Sequence, residues 1–501
     1  MLPTPKMLAI VALVSFCSNW QFGYQITYIN TAHWSFFSLA DEVYMNSLSV
    51  SAPSHLTQSE WNLLWSFILA SFYGGTLIRI YYGKKMNINS KSCASFLFYV
   101  PRLIRFVGGV RNALLLSSFP AVIGCLLQLA VRLSKTLPTL CLLLSLGRLL
   151  VGAQAGCSLC LLPLFIIETT PRHHRPFLSS LQVVFQSLAT LIGLCAGSDH
   201  LVSLGEHKIE WLQIIGLAPT MFFAVFLMWL PDTPFRLLEK CQKVLDFDDN
   251  DDTFGEDFEL SSLFYYGSNA DFGAIRSEAF ERWALPPEGR KRRSKFFENW
   301  KGLLVGIFAA ISFAFTADDL IDSYSADFLY RFSSVSSSPK ADAEFLTAGL
   351  GLLLFFTSIF GAFLADRFGR RRLLISGLLG TAVSNAIAAF GASVDSASTV
   401  AIGFALTKAF IGFGAGAPAW FLTSELVSPL YVAQGQAIST GFLLIATGLS
   451  TLCFLPIQDW LGSADALLAL SSVPALFIAV FLFLMLAGDV RFFARSNSSI
   501  F

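Results

Sequence analysis

Charge is scarce in this chain. Only 14% of its 501 residues are Asp, Glu, Lys or Arg, and the 34 basic and 34 acidic side chains cancel to a net charge of zero. A neutral balance gives a polyanion nothing to grip, so no nucleic-acid partner is expected. Histidine is scarce too, with six in all. His173 and His174 are adjacent, but no Cys or carboxylate stands near them at ligand spacing. The acidic stretch 246–259 is not a calcium loop, because counting from Asp248 the sixth position is Thr253 and not Gly. A Gly-rich nucleotide loop and a nucleophile–base arrangement are also missing, so an enzyme is not expected, nor is a cofactor or a metal. Cys157 and Cys160 form a C-x-x-C inside a continuous apolar run, where core packing is the better reading than zinc or redox chemistry.

Apolar residues are abundant. They make up 54% of the chain, and the mean hydropathy is +0.61, far too apolar for a soluble protein of this size. Roughly 20 apolar residues make one membrane-spanning helix. Twelve such runs can be counted, at 7–30, 61–83, 111–132, 137–168, 176–200, 211–230, 301–331, 343–365, 371–392, 397–423, 430–459 and 464–488. The first run leads into NWQFGY and not into a small-residue cleavage site, which predicts a retained helix and no signal peptide. Lys and Arg concentrate at 84–85, 172–175, 290–295 and 370–372, while the 31–60 loop has none. That asymmetry predicts an even number of spans with both termini cytoplasmic. A multi-pass protein of the plasma membrane is the expectation.

The most informative stretch is 361–374, GAFLADRFGRRRLL. An apolar run ends at Ala365, Asp366 and Arg367 follow, Gly369 permits a tight turn, and Arg370, Arg371 and Arg372 precede the next run. This G-x4-DRxGRR string resembles the inter-helix signature of the major facilitator superfamily, in the form carried by its sugar porters, the facilitative glucose-transporter family. The resemblance implies an all-α membrane protein of twelve transmembrane helices in two pseudo-symmetric six-helix halves. The expected boundaries are 1–230 for the first half, 231–300 for a cytoplasmic linker with short helices, 301–488 for the second half and 489–501 for a tail. The first half contains an inserted segment at about 84–107, after which Arg105, Gly108 and Arg111 look like remnants of the same motif. The inserted segment reads either as an amphipathic piece on the membrane surface or as sequence with no role.

Other stretches carry the resemblance further. QFGY at 21–24 looks like the family's first helix, and proton-coupled members commonly have an Asp where this chain has Gln25. An amide does not exchange a proton near neutral pH, so facilitated diffusion is implied at that site. Arg148 in SLGRLLVG is an ionisable group in an apolar run and needs a partner. Glu168, Arg172 and Arg175 are expected to form a charge network with Arg111 on the cytoplasmic face, with ordinary helix-end capping as the alternative. Gln182 and Gln186, at i and i+4, share one helix face and offer the donors and acceptors a hydroxylated solute needs. Trp420, in GFGAGAPAWF, matches the family's substrate-side Trp. The Gly and Pro there weaken the helix so that it can bend. Glu425 matches the Glu that pairs with the Asp366, Arg367, Arg370 and Arg371 cluster.

The second half departs from the family pattern. Phe313 and Ala314 stand where two Gln would be, and Asp319 stands where an Asn would be. Asp318, Asp319 and Asp322 lie about two-thirds along the seventh run, and Lys408 lies at a similar depth in the tenth, about 15 Å below its outer end. An unpaired charge there is costly, so Lys408 is expected to pair with Asp322 or Asp318. The alternative is that the seventh run ends early and these acids face water.

These residues predict a uniporter for a small neutral hydroxylated solute, a sugar or polyol such as a hexose. Substrate contacts are expected at Tyr24, Gln25, Gln182, Gln186, Asp319 and Trp420, with an intramembrane ion pair of Asp318, Asp322 and Lys408. Two other readings stay open. One is a carrier of a charged or zwitterionic solute, or an ion-coupled transporter, using Asp318, Asp319, Asp322 and Lys408. The other is a degenerate, non-transporting sensor. Lipid is the expected surrounding, and no obligate protein partner is expected.

Overall fold

The computed structural model describes residues 4–47, 55–76, 104, 107–245, 253–267, 271–283, 300–333, 338–427 and 432–488. Among these residues every regular element is a helix. The acidic run at 246–252, the basic run at 290–295, the tail from 489 and nearly all of the 84–107 segment lie outside the described residues. Among the described residues, eleven helices are long and apolar enough to cross a membrane. The twelfth expected run is the helix Gln58–Thr76, which opens on Gln58, Glu60 and Asn62.

The first half consists of α1 (Pro5–Thr31), α2 (His33–Ser47), α3 (Gln58–Thr76), α4 (Val110–Leu129), α5 (Leu137–Thr169), α6 (Arg175–Gly197) and α7 (Lys208–Trp229). Thr4 caps α1 by accepting a hydrogen bond from the Met7 amide at 3.3 Å, and Pro5 occupies the first turn, where its missing N–H costs nothing. Three short helices follow: α8 (Pro234–Leu245), α9 (Thr253–Tyr266) and α10 (Phe272–Trp283). Phe235, Leu237, Leu238, Phe258 and Ile275 give them a small apolar core of their own. They mark the linker end of the bundle. The opposite, far end carries α2.

α2 corrects the sequence reading, which left 31–60 as a loop. His33, Phe36, Ala40 and Val43 recur at helical spacing and are buried, with Trp61 Nε1 donating to His33 Nε2 at 2.9 Å.

The second half consists of α11 (Trp300–Ala314), α12 (Asp318–Phe332), α13 (Pro339–Phe368), α14 (Arg370–Ser393), α15 (Ala397–Phe410), α16 (Gly416–Leu426), α17 (Val432–Leu461), α18 (Ser463–Leu467) and α19 (Val473–Gly488). Three of its runs are interrupted. The seventh breaks at 315–317, where Ala317 adopts a left-handed φ of 69°. The tenth carries a π turn at Ile411–Ala415, between α15 and α16, in the stretch where Gly and Pro are expected to weaken the helix. The twelfth carries a π turn at Leu468–Ser472, between α18 and α19.

The two halves pack alike. Water does not drive helices together inside lipid, so small residues that allow close approach set the crossings. In the first half α3 meets α5 through glycine: a Cβ on Gly75 would lie 1.9 Å from the Leu149 carbonyl oxygen, and one on Gly152 would lie 2.0 Å from that of Phe72. In the second half α13 meets the π turn in the same way, with Gly361 against the Gly412 carbonyl oxygen at 1.9 Å. Large apolar side chains such as Phe119, Val225, Phe363 and Phe477 point outward, as a lipid-facing surface requires.

Candidate functional site

Between the halves lies a cavity of about 40 Å³, room for a few waters. α6 contributes Gln186, Ser187 and Thr190, and α12 contributes Asp318 and Asp322. Ser358 of α13 completes the polar part of the wall, and Phe313 of α11 and Trp420 of α16 make its aromatic part.

The break before α12 brings the carboxylates here. Ending α11 at Ala314 frees backbone groups that lipid cannot satisfy. Asn385 of α14 donates its Nδ2 to the Thr316 carbonyl at 2.9 Å, and its Oδ1 accepts from Thr407 Oγ1 at 2.8 Å. Asp318 and Asp319 thus occupy the first turn of α12, where the helix dipole favours negative charge. The fully buried Lys408 Nζ donates to Asp318 Oδ1 and Asp322 Oδ1, both at 2.6 Å, and to the Asp318 carbonyl at 3.3 Å. Asp319 points elsewhere and accepts from Tyr73 Oη of α3 at 3.0 Å, across the boundary between the halves.

Of the residues expected to touch solute, Gln186 and Trp420 line the cavity. Tyr24 turns into the first half, where its hydroxyl donates to the Leu212 carbonyl at 2.7 Å and its ring stacks between Trp20 and Tyr28. Gln25 is fully buried and points its amide at Cys125 Sγ, 3.8 Å away, while its carbonyl accepts from Arg148 at 2.9 Å. Gln182 is buried beside Asn19, which donates to its carbonyl at 3.1 Å.

At the linker end, Arg111 meets Asp232 at 3.3 Å, and its guanidinium also donates to the Leu230 carbonyl. Arg172 and Arg175 converge on Glu278 of α10, at 3.2 and 2.6 Å. Glu168 accepts from Thr233 Oγ1 at 2.7 Å. Sequence reasoning missed Glu278, whose partners lie about a hundred residues away. The side chains of Asp366, Arg370 and Glu425 lie outside the described residues; Arg367 is exposed and Arg371 half-buried.

The far end is bound across the halves. Glu344 of α13 is fully buried and accepts from Ser198 Oγ at 2.5 Å, with His200 Nδ1 at 2.9 Å. Asp199 sits between Lys208 and Lys340 at 2.7 and 3.1 Å. Burial pushes the Asp199 carboxyl up, but the two lysines outweigh it and hold the group below the usual carboxylate range. Asn30 of α1 donates to the Ile321 carbonyl at 3.2 Å and to Ser325 at 3.0 Å, and accepts from the Ala326 amide.

The family model described as "Sugar (and other) transporter" matches residues 10–496. The chain belongs to this family. It is a multi-pass membrane transporter of the major facilitator superfamily, not an enzyme. Among its relatives is facilitated glucose transporter protein 1 of Caenorhabditis elegans, 24% identical over 469 residues, covering 91% of this chain and 83% of that one. Putative polyol transporter 2 of Arabidopsis thaliana is 25% identical over 351 residues, covering 65% of this chain and 67% of that one. Among solved structures, the xylose transporter XylE of E. coli in a partially occluded inward-open conformation has a TM-score of 0.69 at 16% identity. That match covers 95% of this chain and 97% of XylE, and it shows the shared fold.

Proposed function

We propose that this protein moves a sugar or polyol by alternating access, as a facilitated-diffusion carrier. The observation that carries this reading is the polar and aromatic lining of the cavity between the halves, which alternating access would widen to admit a solute. Gln186, Ser187 and Thr190 offer hydrogen bonds on one side and Trp420 an apolar ring face on the other. The glucose and polyol transporters among its relatives support the solute class. Gln25 supports uniport, since an amide there carries no exchangeable proton near neutral pH. In this reading the termini and α8–α10 are cytoplasmic and the membrane is the plasma membrane. The charged groups at 366–372, with Glu425, close the cytoplasmic side when the far end opens. A second reading is favoured by Asp318 and Asp322 in the cavity wall, with Lys408 buried behind them, which suit a charged cargo or a coupled ion.

Radiolabelled uptake into proteoliposomes tests these readings across sugars, polyols and organic ions, with and without a pH gradient. Equilibration of a sugar or polyol without accumulation supports the uniporter. Accumulation driven by the gradient supports ion coupling, and uptake of nothing points to the sensor.

A further inference from the structure

Charge does not balance around the cavity. One ammonium, Lys408, serves two carboxylates, Asp318 and Asp322, at 2.6 Å each. Counting outward keeps the deficit. Asp319 adds a third carboxylate, held by the neutral Tyr73 hydroxyl. Arg148 adds a second cation, which donates to the carbonyls of Ile68 and Gln25 at 3.1 and 2.9 Å. With every carboxylate ionised, the formal sum is one net negative charge, enclosed by protein at membrane depth.

A second observation lies in the same wall. Ser358 is only 4% exposed, lines the cavity, and its hydroxyl has no partner among the described residues. A buried hydroxyl left unmet is costly, and a serine can accept from an N–H or donate to an oxygen. Trp420 presents a ring to the same space, and an indole face attracts cations. Lys408 occupies one oxygen of each aspartate, so each carboxylate keeps a second acceptor oxygen.

We propose that the solute of this cavity carries a protonated amine besides its hydroxyls, as an amino sugar or amino polyol does. The ammonium seats against Asp318 and Asp322 and completes the charge balance. Ser358 and Gln186 take hydroxyls, and Trp420 covers the ring or chain. The inference rests on reading the cavity as the solute site, and it narrows the cargo from any hydroxylated solute to a cationic one.

The test is equilibrium binding to the purified full chain, measured with D-glucosamine, N-acetyl-D-glucosamine, D-glucose and sorbitol at about pH 6.5, where a primary amine is protonated. D-glucosamine is expected to bind at least tenfold more tightly than D-glucose and N-acetyl-D-glucosamine. Asp322→Asn, which leaves one carboxylate for Lys408, is expected to bring that ratio close to one. Equal affinities in the unaltered protein overturn the proposal and leave the sugar-carrier reading intact. Saturable binding of none of the four overturns both. D-glucose affinity that rises to match D-glucosamine as the pH falls assigns the missing charge to a proton, and also overturns the proposal.

Discussion

Arg148 and Lys408 are one device built twice. Each is a fully buried cation four residues ahead of the glycine through which its helix meets a neighbour, Gly152 in the first half and Gly412 in the second. Each reaches a backbone carbonyl on the opening span of its own half, Gln25 for Arg148 and Asp318 for Lys408. The counter-groups differ. Arg148 donates to carbonyl dipoles at Ile68 and Gln25, and α1 runs unbroken past it. Lys408 has two carboxylates, and the chain breaks at Ala317 to present them at a helix start. A cation at this crossing is compatible with an ordinary helix. Carboxylates at the same level come with an interrupted one, whose freed carbonyl needs Asn385. The second half therefore carries the cavity-facing carboxylates, and the first half carries a lone cation held by carbonyls.

Removing the cations one at a time tests that asymmetry most severely. Lys408→Met leaves two adjacent buried carboxylates without a counter-charge, at a cost of about 3–5 kcal/mol. The expected outcome is a large fall in melting temperature in detergent and loss of uptake, with partial recovery in Lys408→Met/Asp322→Asn. If Lys408→Met melts like the unaltered protein, the two cations are equivalent and the comparison fails. Arg148→Met orphans carbonyls and no contacting carboxylate, so about 1–3 kcal/mol is expected, visible as a smaller drop in the same assay. Gly152→Ala and Gly361→Ala each force a methyl into backbone at about 2 Å. Both are expected to cost a similar 1–3 kcal/mol, roughly. Unequal losses would mean that the two crossings are not counterparts. The smallest effect belongs to the far-end latch. Asp199 is partly exposed, so Asp199→Asn is worth about 0.2–1 kcal/mol at low salt and less at high salt. Because its folded-state carboxyl is held low, its contribution is full above the ordinary range near pH 4. It fades as pH falls further, and a melting curve against pH compared with Asp199→Asn reads this out.

Much of the fold was legible because lipid imposes simple rules. Apolar length marks spans, and G-x4-DRxGRR marks the family. Depth was legible too: counting rise along two spans put Lys408 and Asp318 at one level, and the structure has them in contact. Direction around a helix was harder. Tyr24 and Gln25 are polar residues in an apolar run, and such residues avoid lipid, but the Tyr24 hydroxyl finds its acceptor on α7, the Gln25 amide points at Cys125 of α4, and neither side chain lines the cavity. The Gly-rich stretch of the tenth span was legible as a weak point, whereas the break in the seventh was not. Nothing in FAFTADD marks Ala317 for a left-handed φ, because the interruption is held by Asn385 from a distant span. α2 is a fifteen-residue helix, too short for apolar length to mark it as a span.

The π turn at Ile411–Ala415 sets the compass of the tenth span. Lys408 and Trp420 are twelve residues apart. On a regular helix, at about 100° per residue, they would point roughly 120° away from each other. A turn closed by i→i+5 bonds winds in one extra residue. That brings the two bearings to within about 20°, so the lysine's carboxylates and the indole look into the same chamber.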